Sequence, residues 1–310
     1  MNYVYEICNY SFRCNVSDNF ISEYFHYRFS GFVCEAEISS ITDLKIIQRD
    51  NVNDILEKYC FKVDFDDFNF CDEFININVV DYKNYIIYLK QHDLIIICLN
   101  NYSQIIKKII AIKLVSLVLS LLLQANVVCV HGACIKHNNK GLLLIGNSGS
   151  GKTSLSLKYI ENGASITNDD ATFIQCKENF YAFKNTQFIG LTEDGILNEF
   201  SDYANLVSFI DSDNKKRIDL YRHSQLYFCK EVKITDIVLI DKDRGIVPCI
   251  SYLSKIDMIK YIIKNISVYK YLYYDKYLQM IVNLVENSNS FILHPSNCLD
   301  DTFNHLFEKL

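Results

Sequence analysis

The chain has 310 residues, 50% hydrophobic and 22% charged, a balance that excludes a disordered chain and accommodates one large domain or two ordinary ones. Its formal net charge of −6, without a long Lys/Arg run, points away from nucleic acid as a partner. Glycine is scarce, with 10 in the chain, so a glycine cluster is more informative here than in an average protein.

The cysteines stand singly, with no CxxC pair, and the opening Met1–Cys14 carries Glu6 and Arg13 instead of an apolar signal core. Reduced thiols packed as small hydrophobes, and a cytoplasmic location, are therefore expected. Ile105–Val130 is strongly apolar, but Lys107, Lys108 and Lys113 interrupt it and Leu114–Leu123 is too short to cross a bilayer, so no membrane partner is expected.

In chain order, residues 1–102 read as a β-rich module on a small antiparallel sheet. The strand signals are Tyr3–Phe12, Tyr27–Ile38, Cys60–Phe70, Phe74–Val80, Tyr85–Leu89 and Leu94–Leu99, with a helix over Val52–Tyr59. Asp64-Phe65-Asp66-Asp67-Phe68-Asn69 opens like a calcium loop but lacks its later Gly and Glu, so an alternating strand explains it better. Such a module offers an edge for substrate recognition by strand addition.

Residues 103–310 form the second expected domain. A helix over 103–123 is apolar on all sides. Strand Val127–Val130 is followed by His131-Gly132, then Cys134–Lys136, a turn at His137–Lys140, and strand Gly141–Ile145. A helix from Lys152 to about Asn162 and a strand Ser165–Thr167 complete a βαβ unit. Thr172–Cys176 and Phe180–Phe183 read as a hairpin and Ile234–Ile240 as a buried strand. The tail is helical over Lys255–Asn265, Tyr269–Glu286 and Cys298–Leu310, the last with Ser296 or Asn297 as cap.

Gly146-Asn147-Ser148-Gly149-Ser150-Gly151-Lys152-Thr153 fits G-x-x-x-x-G-K-[ST], between an apolar strand and a helix. A triphosphate needs several backbone N–H groups turned inward at once, which glycines permit, and the helix N-terminus favours the same anion. Lys152 then reaches the β- and γ-phosphates, and Thr153 offers its hydroxyl to Mg2+. The loop alone does not distinguish ATP from GTP or pyrophosphate.

Asp169-Asp170 follows the next strand. In a βαβ unit the loops at the carboxyl ends of the strands are neighbours, so the pair is expected to face the phosphate loop. One carboxylate there suits Mg2+, the other the proton of an acceptor hydroxyl; the plain alternative is a solvated acidic loop.

Val130-His131-Gly132-Ala133, the glycine loop and Asn168-Asp169-Asp170, in that order, resemble the core of HPr kinase/phosphorylase and its relatives. The resemblance covers about residues 125–175 well and 176–245 loosely. It implies an α/β fold, with a P-loop kinase domain related to phosphoenolpyruvate carboxykinase and joined here to the β-rich module. It also implies ATP and Mg2+ as cofactors and transfer to a serine-type hydroxyl. By it, Asp169 is the general acid/base, Asp170 the metal-side carboxylate, and His131 lies near the phosphates or the acceptor. Two departures separate the chain from the HPr-specific members. Asn147 stands where they carry Asp, and Phe188-Ile189-Gly190-Leu191-Thr192-Glu193-Asp194-Gly195 lacks their E-I-R-G-x-G-I signature. Relatives without that signature include kinases that modify peptides.

The expected catalytic residues are thus Asp169, His131 and Lys152. Gly146, Asn147, Ser148, Gly149, Ser150, Gly151, Lys152 and Thr153 are expected to hold the nucleotide, and Thr153 and Asp170 the metal. Lys215-Lys216-Arg217 reads as a solvated β-turn, with Arg217 or Lys216 as its candidate cations, and Arg244 is a further one. The expected function is a kinase acting on a peptide, protein or small-molecule hydroxyl, with a nucleotide-binding sensor as the alternative. A homo-oligomer is left open.

Overall fold

A computed structural model of the chain describes residues 2–7, 10–33, 44–49, 69–71, 75–81, 84–99, 103–185, 188–210, 214–224, 227–265 and 273–310. The architecture is α/β, in two compact units: Met1–Ala125 with Val268–Tyr274, and Asn126–Ser267 with Asp275–Leu310. The expected helix over Val52–Tyr59, the acidic stretch at 64–68 and residues 211–213 lie outside the described residues.

The first unit holds β1 (Asn2–Ile7), β2 (Tyr10–Asn15), β3 (Leu44–Arg49), β4 (Asn69–Cys71), β5 (Ile75–Asp81), β6 (Asn84–Leu89) and β7 (Leu94–Cys98). Their order is β1-β2-β3-β7-β6-β5-β4, with β2–β3 and β3–β7 parallel, so the sheet is mixed and not antiparallel as expected. The expected strand over Tyr27–Ile38 is overturned at its start, because Asn19–Phe29 is a helix. Ile21, Phe25 and Phe29 repeat every fourth residue on its buried face, and the Asp18 side chain accepts from Ile21 N at 3.1 Å to cap it. This spacing overrides the β-preference of its aromatic residues.

The all-round apolar helix Gln104–Leu122 belongs to this first unit, so the division between units falls after Ala125 and not at 102. The helix packs on Asn19–Phe29 and on β5 and β6, and Lys107 Nζ meets Asp18 Oδ2 at 2.7 Å. A helix without a polar face carries no sequence signal for which neighbour it will cover. No described helix is long and apolar enough to cross a membrane.

The second unit contains β8 (Val127–Val130), β9 (Gly132–His137), β10 (Lys140–Gly146), β11 (Ser165–Asn168), β12 (Thr172–Cys176), β13 (Phe180–Phe183), β14 (Phe188–Leu191), β15 (Val207–Ile210), β16 (Lys216–Asp219), β17 (Glu231–Ile240), β18 (Cys249–Tyr252) and β19 (Asn289–His294). β10, β17 and β19 run parallel, and β18 closes that side antiparallel to β19. On the other side β9 pairs antiparallel with both β10 and β11. The expected βαβ unit therefore exists, but with β9 inserted between its two strands. Asn138 and Asn139, at φ 48° and 63°, supply the tight two-residue turn that folds β9 onto β10. The start of β17 pairs with β13, which continues through β12 to β8. A separate three-stranded sheet runs β14-β16-β15.

The helix Lys152–Glu161 is held from two sides. Leu155 and Tyr159 join Leu142, Leu144, Val238 and Phe303, while Leu157 and Ile160 join Ile166 of β11 and Ile189 and Ile218 of the small sheet. Two apolar faces fix the axis of this helix, and with it the loop at its N-terminus. In the tail, Cys298 is the N-cap of helix Leu299–Lys309 without a side-chain capping bond; Ser296 Oγ accepts from Cys298 N at 3.2 Å just before it. The tail helix expected from Tyr269 is described from Tyr274 to Glu286.

Candidate active site

Parallel strands β10, β17 and β19 end on one edge of the sheet. Gly132 pairs with Ile145, so His131 comes to the same edge from the β8–β9 corner. Asp169 and Asp170 arrive there from the end of β11. The topology thus assembles the three sequence motifs that the chain separates.

The phosphate loop leaves β10 at Gly146 and enters the helix at Lys152. Gly151 sits at φ +101°, a left-handed conformation that an L side chain rarely adopts. Lys152 is buried, and its Nζ donates to the carbonyl oxygens of Gly146 at 2.8 Å and Asn147 at 3.0 Å. Burial holds its pKa below the usual lysine value, against the pull of Asp169 and Asp170. Asn147, at the position that departs from the HPr-specific pattern, accepts from Tyr261 Oη at 3.0 Å.

The two aspartates are unlike each other. Asp169 is buried, with one carboxylate oxygen accepting from Thr153 Oγ1 at 2.9 Å and the other from Gly190 N at 3.0 Å. Burial raises its pKa and the neighbouring Asp170 adds to the rise, opposed by the Gly190 bond, Arg217 and Thr153. Asp170 takes φ +74°, fixed by Gly132 N donating to its carbonyl oxygen at 3.2 Å. Its carboxylate lies 3.5 Å from His131 Nδ1 and 3.6 Å from an Arg217 nitrogen. Burial lowers the His131 pKa, although Asp170 pulls it the other way.

Arg217 corrects the reading of Lys215-Lys216-Arg217 as a solvated turn. It is a strand residue of β16, 1% exposed, opposite Gly190 of β14. A Cβ on Gly190 would collide with its guanidinium. Lys216 meets Glu193 at 2.7 Å and does not line the cleft, whereas Lys215 and Arg244 do. A Cβ on Gly151 would lie 4.0 Å from Arg244 Nη2, which places this exposed guanidinium beside the loop.

Sequence reasoning missed Gly190 and Asn185. Asn185 accepts from Asn168 Nδ2 at 2.8 Å and donates to Ala171 O at 2.9 Å, holding both ends of the double-aspartate turn. Gly190 had a usable signal, since glycine is scarce in this chain and a Cβ here would strike the Arg217 guanidinium. Asn185 had none, because its partners are brought to it by the β12–β13 hairpin.

The cleft has a volume of about 290 Å3 and is lined by His131, Lys152, Thr153, Asp169, Asp170, Lys215 and Arg244, among others. A triphosphate fits this donor set: a loop with turned-in backbone at a helix N-terminus, and cations on both sides. No described cluster of three His, Cys, Asp or Glu side chains forms a closed metal cage. Mg2+ does not require one, since it is commonly held by one or two protein oxygens together with phosphates and water. Thr153 with Asp169 or Asp170 suits that role.

No family model matches the chain, and no curated protein matches it. Among solved structures, the Hpr(Ser) kinase/phosphatase from Coxiella burnetii is similar at a TM-score of 0.27 and 16% identity, over 36% of this chain and 63% of that one. The chain thus spans less than two thirds of that protein's length.

Proposed function

We propose that the chain is an ATP- and Mg2+-dependent kinase that passes the γ-phosphoryl group to a serine-type hydroxyl of a peptide, a protein or a small molecule. One observation carries this reading. Thr153 of the phosphate loop donates to Asp169 while Asp170, its neighbour, faces His131 across the same cleft. A nucleotide-binding module alone needs the loop; it does not need a second carboxylate beside it.

The contacts favour a division of roles opposite to that implied by the resemblance. Asp169 has both oxygens engaged by groups of the loop and of β14 and is tied to the hydroxyl that suits Mg2+. Asp170 is the more open carboxylate and suits the acceptor's proton. Lys152 and Arg244 neutralise the phosphates, Asn147, Ser148, Gly149 and Ser150 supply the cradle, and Mg2+, which Thr153 and Asp169 would hold, would supply further charge stabilisation of the transferring group. As the acceptor oxygen bonds to phosphorus and the bond to the leaving diphosphate breaks, the hydroxyl proton passes to Asp170. His131, 3.5 Å from that carboxylate, orients it.

The test is transfer of labelled phosphate from ATP with Mg2+, to hydroxyl acceptors and to water. Asp170→Asn should lower kcat by about 100- to 10,000-fold with nucleotide affinity retained. Asp169→Asn should instead weaken Mg2+-dependent nucleotide binding. Full transfer by Asp170→Asn sinks the division of roles. Tight ATP binding by the wild type, with no transfer to any acceptor or to water, sinks the kinase and leaves a sensor.

A further inference from the structure

The kinase reading leaves open what carries the hydroxyl. An edge of the sheet beside the cleft bears on that. β18 pairs with β19 and, among the described strands, with no other, so its second side is open. Leu253 N donates to Ser290 O at 2.9 Å, and these residues stand directly opposite in the β18–β19 register. They are a hydrogen-bonded pair, so by alternation Ser251 and Cys249 also bond inward. The N–H and C=O groups of Ile250 and Tyr252 therefore turn outward.

Natural sheet edges are commonly blunted by charge, bulges, proline or short length; here Pro248 precedes β18 and its four residues turn two sets of backbone groups outward, but no charge guards them. From Gly245 to Ser254 there is no charged residue. Ile246 is 91% exposed, Val247 73% and Tyr252 82%. This uncharged strip begins one residue after Arg244, which lines the cleft, and Cys249 at its strand's start is paired with His294 on the carboxyl edge.

We infer that the outer edge of β18 docks an extended peptide segment of the phosphate acceptor, by strand addition. The inference rests on the kinase reading and sharpens it: the acceptor hydroxyl belongs to a peptide or an extended protein segment. Backbone groups of Ile250 and Tyr252 hold its main chain, and Ile246 and Val247 receive its apolar side chains. For antiparallel addition, the commoner pairing, topology sets the polarity. β18 starts at the cleft edge and runs away from it, so a segment added antiparallel ends, at its carboxyl side, toward the cleft. From that segment to β10 there are four strand spacings, about 19 Å, which about six extended residues cover. The acceptor serine accordingly lies about six to ten residues after the docked segment.

The probes are peptides of about sixteen residues, each with one serine and with Val, Ile or Thr at alternate positions about six to ten residues before it, or the same distance after it. With the full chain and ATP, the first set should show a KM roughly tenfold lower than the second, a difference of about 1.4 kcal/mol. Tyr252→Pro removes one outward N–H and leaves the β19 ladder intact; it should erase the difference without changing kcat or the hydrolysis of ATP to water. Tyr252→Ala, which keeps the N–H, should retain it. Independently of turnover, amide hydrogen exchange at Ile250 and Tyr252 should slow when a first-set peptide is added. Equal KM for both sets, no change in Tyr252→Pro, or exchange that slows only with protein concentration because a second copy covers the edge, each overturns the inference. A wild type that phosphorylates small alcohols but no peptide overturns it and leaves the kinase standing. Failure to bind or turn over nucleotide, with no exchange protection by peptide, overturns both.

Discussion

The two units bury different things. Among the described residues, the first unit buries apolar side chains and four uncharged polar ones, Ser11, Ser22, Asn84 and Ser120. Its aromatic core packs Tyr5, Phe12, Phe25 and Phe29 ring on ring. The second unit buries Lys152, Asp169, Arg217, Asp219 and Asp236 as well. Removing a charge from water is costly unless partners replace the water, so charge is seldom buried for packing alone. Three of those five, Lys152, Asp169 and Arg217, lie at or against one cleft. The contrast sets the cleft of the second unit, with its buried charge, against the uncharged core of the described part of the first.

The contrast can be broken most sharply at Lys152. Lys152→Ala should reduce phosphoryl transfer by roughly 100- to 1,000-fold or more, with the circular-dichroism spectrum unchanged, because it removes a positioned cation from the transition state. Transfer at the wild-type rate would detach the loop from the chemistry.

A pair of core variants sharpens the comparison further. Phe25→Ala in the first unit should cost about 3–5 kcal/mol by leaving a cavity under the aromatic cluster, read by denaturant unfolding. Its nucleotide affinity should match the wild type. Arg217→Met should cost a similar amount, about 3–5 kcal/mol, because Asp170 loses a buried partner. In that variant nucleotide turnover should fall together with stability. Loss of turnover in Phe25→Ala at a temperature where the variant is folded would dissolve the distinction between the units.

The smallest expected effect is a pH dependence. Burial raises the Asp169 pKa in the folded chain above its ordinary 3.8. For an acid shifted this way, the stabilising contribution is present below the unfolded pKa and is lost as pH rises through the folded one. Asp169→Asn has no such loss. Its melting temperature relative to the wild type should therefore fall as pH drops from neutral toward about 4. A relative melting temperature that rises on acidification would reverse the assigned shift.

Much of the second unit was legible because its signals are local. Strand, glycine loop and helix follow one another within about twenty residues, and each step has its own residue chemistry. Asn19–Phe29 carries its helix signal locally, in the fourfold spacing of Ile21, Phe25 and Phe29 and in the Asp18 cap, and it overturns the expected strand only at Tyr27–Phe29. Lys215-Lys216-Arg217 shows the opposite case. Three adjacent cations read as solvent-facing, and only the pairing of β16 with β14 places Arg217 beneath Gly190 and against Asp170.

By itself the sequence determined that a glycine-rich loop of the G-x-x-x-x-G-K-[ST] pattern stands at Gly146–Thr153 and that His131-Gly132 and Asp169-Asp170 flank it. A turn of glycines before a helix is a property of a short segment, needing no distant partner. Tertiary structure decided which carboxylate is tied to Thr153, that β9 lies between β10 and β11, and that Gly190 and Arg217 complete the site. Those outcomes depend on strand order, and strand order is set by which apolar faces bury one another across the whole unit. That competition is settled by packing and leaves no mark in any one segment of the chain.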